Sequence, residues 1–181
     1  MGNRRLRENL KTHNNVFDKC FKEESRKVFY VVDKKKGKSE IEYAVSDNEP
    51  ALEIVNENPP IGFLSFDNCY AEHAKGYSGK RCDCVLFSSK ELLFVELKLD
   101  VGNSRIARNL KEGRDQLSNT ITYFYDYFKD DFNSFFCNAI VVLPKQPYPK
   151  KSARLANLKK KFFLDNFGVE YLENTEFTFN K

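Results

Sequence analysis

The chain has 181 residues, 41% of them apolar and 31% charged, with a formal net charge of +4. That length suits one domain with a modest core. No apolar run approaches the roughly 18 residues that span a bilayer, and the weak positive excess permits a nucleic-acid partner without demanding one. Seventeen Phe and nine Tyr supply much of the apolar bulk, and there is no Trp. The opening "MGNRRLRENL" lacks the apolar stretch of a secretory signal, and Leu6 breaks the acylation pattern that follows a Gly start. Five cysteines without such a signal read as reduced thiols in a cytoplasmic protein that does not engage a membrane.

In chain order, residues 1–27 carry apolar residues at helical spacing (Leu6, Leu10, Val16, Phe17, Cys20, Phe21) and read as one or two helices. "RKVFYVV", residues 26–32, is a strand by its β-branched and aromatic content. A lysine-rich turn at "DKKKGKS" leads into "EIEYAV", the return strand of a hairpin. "NEPALEIVNENPP" reads as a short helix, with Asn48 as its cap, Pro50 in the first turn and Pro59-Pro60 as its stop. "IGFLSF" is another strand, and "YAEHAKGYSGK" a turn region.

"RCDCVLFSSKELLFVELKLD", residues 81–100, reads as two apolar strands around a polar turn, interrupted by Asp83, Glu96 and Lys98. The following stretch has a helical period through Ile106, Leu110, Leu117, Ile121, Phe124 and Phe128, broken at Gly113 and capped by Asn103 or Ser104. "FFCNAIVVLP" is a continuous apolar strand of the kind buried on both faces. "KKSARLANLKKKFFLDNFG" is a basic amphipathic helix ending at Gly168, and "VEYL" and "EFTF" close the chain as short strands. The order after residue 80, β, β, α, β, α, β, implies a mixed sheet with helices packed on its faces.

The three charges converge if the turn is even. Strand side chains alternate between faces, so Glu96 and Lys98 share a side. A two-residue loop at Ser89-Lys90 and a four-residue loop from Ser88 to Glu91 give the same register, and both set Asp83 opposite Glu96. That register puts Cys82 and Cys84 together on the other face. Opposed carboxylates on a strand pair are destabilising, and burial adds several kcal/mol per ion. Lys98 neutralises one carboxylate, and a divalent cation would neutralise the pair. Carboxylate oxygens and waters suit Mg²⁺, and the combination suits metal-assisted hydrolysis, with Lys98 orienting water or stabilising charge on a phosphate. An exposed strand end bearing solvated charges is the plainer reading of any one of the three residues.

Asp83, twelve intervening residues and then Glu96-Leu97-Lys98 at the end of a second apolar strand resemble the PD-(D/E)XK nuclease superfamily. The resemblance implies a three-layer α/β/α sandwich with a mixed central sheet, restriction endonuclease-like, within a single domain over 1–181. In that frame 1–47 form an N-terminal helix and hairpin extension, and 48–181 the nuclease-like core. It implies Asp83, Glu96 and the Leu97 carbonyl as ligands of Mg²⁺ or Mn²⁺, and Lys98 as the catalytic lysine. Some branches place a Gln on the next helix, often followed by Tyr, which carries over to Gln116. Tyr123 is two turns on, not at the usual four-residue step. Cys82 stands where the family usually has Pro. The family's further acid is left open among Glu53, Glu8, Glu23 and Glu72.

Arg105, Arg108, Lys111 and Arg114 recur every third residue and could track a phosphate backbone, although a solvated face interleaved with Glu112 and Asp115 gives the same spacing. Zinc at Cys69, His73, Cys82 and Cys84 is set aside, because Cys-x-Cys on a strand lacks the two-residue gap of structural zinc sites. "GYSGK" fails the phosphate-loop pattern. The expectation is a metal-dependent nuclease in restriction, defence or repair, acting on DNA ahead of RNA, as a homodimer or a subunit of a larger complex. The alternative is the same fold without activity, serving as a nucleic-acid- or protein-binding subunit.

Overall fold

A computed structural model of the chain describes residues 2–34, 38–46, 50–98, 105–143 and 153–180, the side chains of 2, 3 and 153–156 excepted. The lysine-rich tip at 35–37, the caps expected at Asn48 and at Asn103 or Ser104, and lysines 150 and 151 lie outside the described residues. No helix among the described residues is long and apolar enough to cross a membrane.

The centre is a mixed six-stranded sheet, β1(Phe21–Glu24)-β5(Ile61–Ser65)-β6(Cys84–Phe87)-β7(Glu91–Leu97)-β8(Phe136–Val142)-β9(Glu170–Glu173) in spatial order. β1, β5, β6 and β7 run antiparallel in succession. β8 and β9 are parallel to β7, and parallel neighbours need crossovers. α4 (Ile106–Phe132) makes the first and α5 (Ala153–Phe167) the second. A second sheet has the order β10(Glu176–Phe179)-β4(Leu52–Asn56)-β2(Val28–Lys34)-β3(Lys38–Glu42). Two apolar layers follow. On one face of the central sheet, Val85, Phe94 and Val141 pack with Phe124 of α4, Phe163 of α5 and Leu6 and Leu10 of α1 (Gly2–His13). On the other, Cys84, Leu86, Leu93, Val95 and Ile140 pack with Phe29, Val31, Leu52, Ile54 and Phe179 of the second sheet.

The chain is thus of mixed α/β class, as expected, but its layering differs. The expected α/β/α order is replaced by helix, sheet, sheet among the described residues. The helix read at "NEPALEIVNENPP" is β4, and this supplies the reason. Leu52, Ile54 and Asn56 are buried while Glu53 and Val55 are half-buried. That is the period of two of a strand, and a strand there completes a second apolar surface. β1, read as helix, pairs instead with β5 from Phe21↔Leu64 to Glu24↔Ile61. The β2–β3 hairpin, expected as part of an extension, pairs with β4 over Val28↔Val55 to Val31↔Leu52.

The cysteine reading is corrected. Cys20, at the end of α2 (Phe17–Cys20), is disulfide-bonded to Cys69, in a turn over Phe66–Tyr70 that leads into the short α3 (Ala71–His73), with Cα atoms 5.7 Å apart. Two elements remote in sequence pack side by side there, a proximity that spacing along the chain does not reveal. Cys82, Cys84 and Cys137 remain free and buried. The cytoplasmic reading loses the support it drew from five reduced thiols, and Cys69 is no zinc ligand.

Gly62 lets the sheet edge close. A Cβ there would lie 2.6 Å from the Phe87 ring and 2.9 Å from the Phe21 ring, two rings that stack with centroids 5.9 Å apart. Gly62→Ala is expected to cost roughly 1–3 kcal/mol through overpacking. The midpoint of urea unfolding should fall with its slope unchanged.

Candidate active site

The β6–β7 turn is even. Ser88 N–H donates to the Glu91 carbonyl at 2.9 Å. Ser88 Oγ accepts the Lys90 and Glu91 amides at 3.2 and 2.9 Å, so the hydroxyl stands in for missing backbone partners. The pairing runs Phe87↔Leu92 to Cys84↔Val95, and one further step sets Asp83 opposite Glu96. The ladder ends there. Asp83 N–H donates to the Val95 carbonyl, while its own carbonyl accepts the Phe66 and Asp67 amides and Ser39 Oγ. This change of partners breaks the alternation expected of residues 82–84. Cys82 lies in the helix-side core and Cys84 in the sheet-side core, not together on one face.

Glu96 is 1% exposed, beneath α4. Gly113 is the reason α4 can lie so close. A Cβ at Gly113 would stand 3.2 Å from Glu96 Cγ and 3.1 Å from Val141 Cγ2. The helix runs through Gly113 without a break, because the missing side chain serves packing and not a turn.

The side chains form a connected set. Leu97 N–H donates to Asp83 Oδ2 at 2.5 Å. Lys98 Nζ is 2.5 Å from Glu96 Oε1 and donates to Gln116 Oε1 at 2.8 Å. Gln116 Nε2 donates to the Arg81 carbonyl at 2.8 Å. One turn on, Thr120 Oγ1 accepts the Cys82 amide at 3.0 Å. Two residues on one face of α4 therefore fix the entry to β6 and aim Lys98. Glu96 Oε2 is buried and has no hydrogen-bond partner.

Burial pushes the Asp83 carboxyl up to about 7, against the opposing pull of the Leu97 amide and of Lys98. Burial, and then the Asp83 charge, raise Glu96 well above the usual carboxylate range, with Lys98 opposing. An unpartnered buried oxygen beside a second carboxylate is a site short of positive charge.

Two further acids act electrostatically on this pair and carried little signal in the sequence. Asp67 follows β5, whose end lies beside the start of β6 (Ser65↔Cys84). Its carboxyl is raised by burial, is 3.5 Å from Arg81 Nε, and acts electrostatically on both Asp83 and Glu96. Asp33, on β2 of the second sheet, raises Asp83. The available signal was the Asp directly after "IGFLSF", a wholly buried strand. Asp33 carried none, since only tertiary packing brings the second sheet there.

The four candidates for a further acid fare differently. Glu53 pairs within the second sheet, with Tyr30 and Glu176. Glu8 and Glu23 form surface ion pairs with Arg4 and Arg7. Exposed Glu72 acts on Asp67. Tyr123 packs edge-on or tilted against Tyr77, Phe66 and Phe128. Arg105 and Arg108 are exposed, and Arg108 pairs with Glu112 at 3.0 Å. Arg114 turns inward to Glu173, because nine residues rotate a helical position by about half a turn.

Among the described residues, no three His, Cys, Asp or Glu side chains form a ready metal-binding group. Asp83 and Glu96 still fit a cation, on the strength of the orphaned Glu96 oxygen and the mutual repulsion. Comparison with protein families, curated proteins and solved structures returns no match.

A carboxyl whose folded pKa is raised favours folding most below its unfolded value, and that contribution is lost as pH rises through the folded value. For Asp83 the window runs from 3.8 to about 7, at most about 4 kcal/mol at 1.36 kcal/mol per unit. Asp83→Asn, which retains an acceptor for the Leu97 amide, should therefore melt several degrees above the wild type at pH 8 in EDTA. The gap should close towards pH 4 in thermal unfolding.

Proposed function

We propose that this chain is a metal-dependent nuclease of the PD-(D/E)XK, restriction endonuclease-like type, hydrolysing phosphodiester bonds in DNA. The observation that carries the reading is the convergence of Asp83, Glu96 and Lys98 at one end of the central hairpin, with Glu96 Oε2 left unpartnered. The β5-β6-β7 meander, the α4 crossover and parallel β8 agree with the β, β, β, α, β part of that family's core. The sheet covering the opposite face, and Cys82 in place of Pro, are departures.

Asp83 and Glu96, with the carbonyl of Leu97 that follows Glu96 on β7, would hold a Mg²⁺ or Mn²⁺ ion. Bound there, the ion would supply charge stabilisation at the phosphate and a more acidic water. The chain's own residues do the rest. Gln116 holds Lys98 at the edge of the acid cluster. Relieved of part of its pairing with Glu96, the ammonium can orient water or meet charge growing on a phosphate oxygen. Burial keeps the surroundings of low polarity, which strengthens those interactions. Restriction, defence or repair are the settings for such a chain, as a homodimer or as a subunit.

The Lys98–Glu96 pair also supports a second reading, an inactive nuclease fold serving as a binding subunit, because that pair holds the strand end together without a metal.

Incubation with Mg²⁺ or Mn²⁺ and supercoiled, linear and single-stranded DNA, with RNA alongside, should yield cleavage. Asp83→Ala and Glu96→Ala should reduce it to background, and Lys98→Ala should cost about 10²-fold or more. Gln116→Ala should cost less, since it acts through Lys98. Cleavage indifferent to all of these changes would remove the site.

A further inference from the structure

A second charged cluster lies on the same sheet face, across one strand from the acids. The pairings Glu96↔Val141 and Val141↔Glu173 align Glu96 and Glu173 on β7 and β9 with β8 between them. With strands about 4.8 Å apart, they are about 10 Å from each other. Val141 and Tyr171 lie in the helix-side core, so Glu173, two residues beyond Tyr171, also faces the helices.

There Lys159 Nζ, from α5, is 3.6 Å from Glu173 Oε1. Arg114 Nη1, from α4, is 4.0 Å from the same oxygen, and the Tyr171 hydroxyl donates to it at 2.8 Å. Among the described residues, two cations thus share one carboxylate oxygen, and Arg114 Nη1 makes no hydrogen bond. Burial, and then the nearby Arg114 charge, lower Lys159 from the usual ammonium range. The side chains of Arg114, Lys159 and Glu173 are 20%, 15% and 17% exposed, so the cluster is held by packing and only its edge reaches solvent, with Arg114 Nη1 itself buried. Arg105, just before α4, and Arg108, in its first turn, are exposed and point elsewhere.

We infer that Arg114 and Lys159 form a phosphate-binding site beside the candidate catalytic centre, which receives a backbone phosphate of the same nucleic-acid strand, with Glu173 as the internal anion that the phosphate displaces. This rests on the nuclease reading for its partner. A guanidinium and an ammonium converging on one point form a phosphate receptor that combines directed N–H donors with a point charge.

The test is binding of fluorescein-labelled single-stranded and duplex DNA in EDTA over a salt series, so that cleavage plays no part. Arg114→Gln and Lys159→Gln should each weaken binding several-fold and flatten the salt slope by about 0.7–0.9 per lost contact. Glu173→Gln should tighten binding, since it removes the competitor. A merely structural ion-pair cluster predicts the opposite for Glu173→Gln, with all three variants weakened in step with their melting temperatures. That result would overturn the inference, as would unchanged slopes, no DNA binding by the wild type, or protection by inorganic phosphate without DNA binding. Slopes that respond as expected in a chain that never cuts would leave this site standing and remove the nuclease reading. Cleavage with unresponsive slopes would do the reverse.

Discussion

The structure turns on two carboxylates held at the end of the β6–β7 pair, at least one of them fully buried. Burying an ionised carboxylate costs several kcal/mol, and placing a second beside it adds repulsion. Lys98 offsets part of the cost through Glu96 Oε1, and the Leu97 amide offsets part for Asp83. Glu96 Oε2 is left without a partner. The strands cannot slip to relieve it, because the turn closed by Ser88 fixes the register, and a slip of one residue would move every side chain of the strand into the opposite apolar layer.

α4 converts this burden into a defined geometry. Gly113, Gln116 and Thr120 lie on one side of the helix, and each has a separate task. Gly113 admits Glu96 and Val141 beneath the helix. Gln116 links Lys98 to the Arg81 carbonyl, and Thr120 holds the Cys82 amide. Leu117, Ile121 and Phe124, on the same side, bury the apolar remainder. The interruption that Gly113 makes in the apolar pattern thus marks close approach, which a one-dimensional pattern cannot distinguish from a helix break.

The opposite face carries the main departure from the family resemblance. A four-stranded sheet packs where the α/β/α order would put helices. It brings Asp33 towards the acid cluster and Ser39 onto the Asp83 carbonyl. The Cys20–Cys69 bond, on the helix side, ties α2 to the turn that carries Asp67. Both features draw distant parts of the chain to the candidate site, so the acids there depend on nearly the whole fold.

Local physics made much of this legible from the residues alone. Alternation and an even turn were enough to set Asp83 across from Glu96, because strand period and loop parity are properties of neighbours in sequence. Continuous apolar runs marked β5, β7 and β8, and a helical period marked α4 and α5. Tertiary structure decided what depends on contacts between remote segments. β4 became a strand because a second sheet was there to pair with it. Cys82 and Cys84 parted because Asp83 exchanged its ladder partner for others. Asp67 and Asp33 came to act on Asp83 because strand ends and packed sheets meet there, and Arg114 turned to Glu173 because half a helical rotation carried it away from Arg105. A chain records its neighbours in order, but which charges share a low-polarity space is settled only when the layers close.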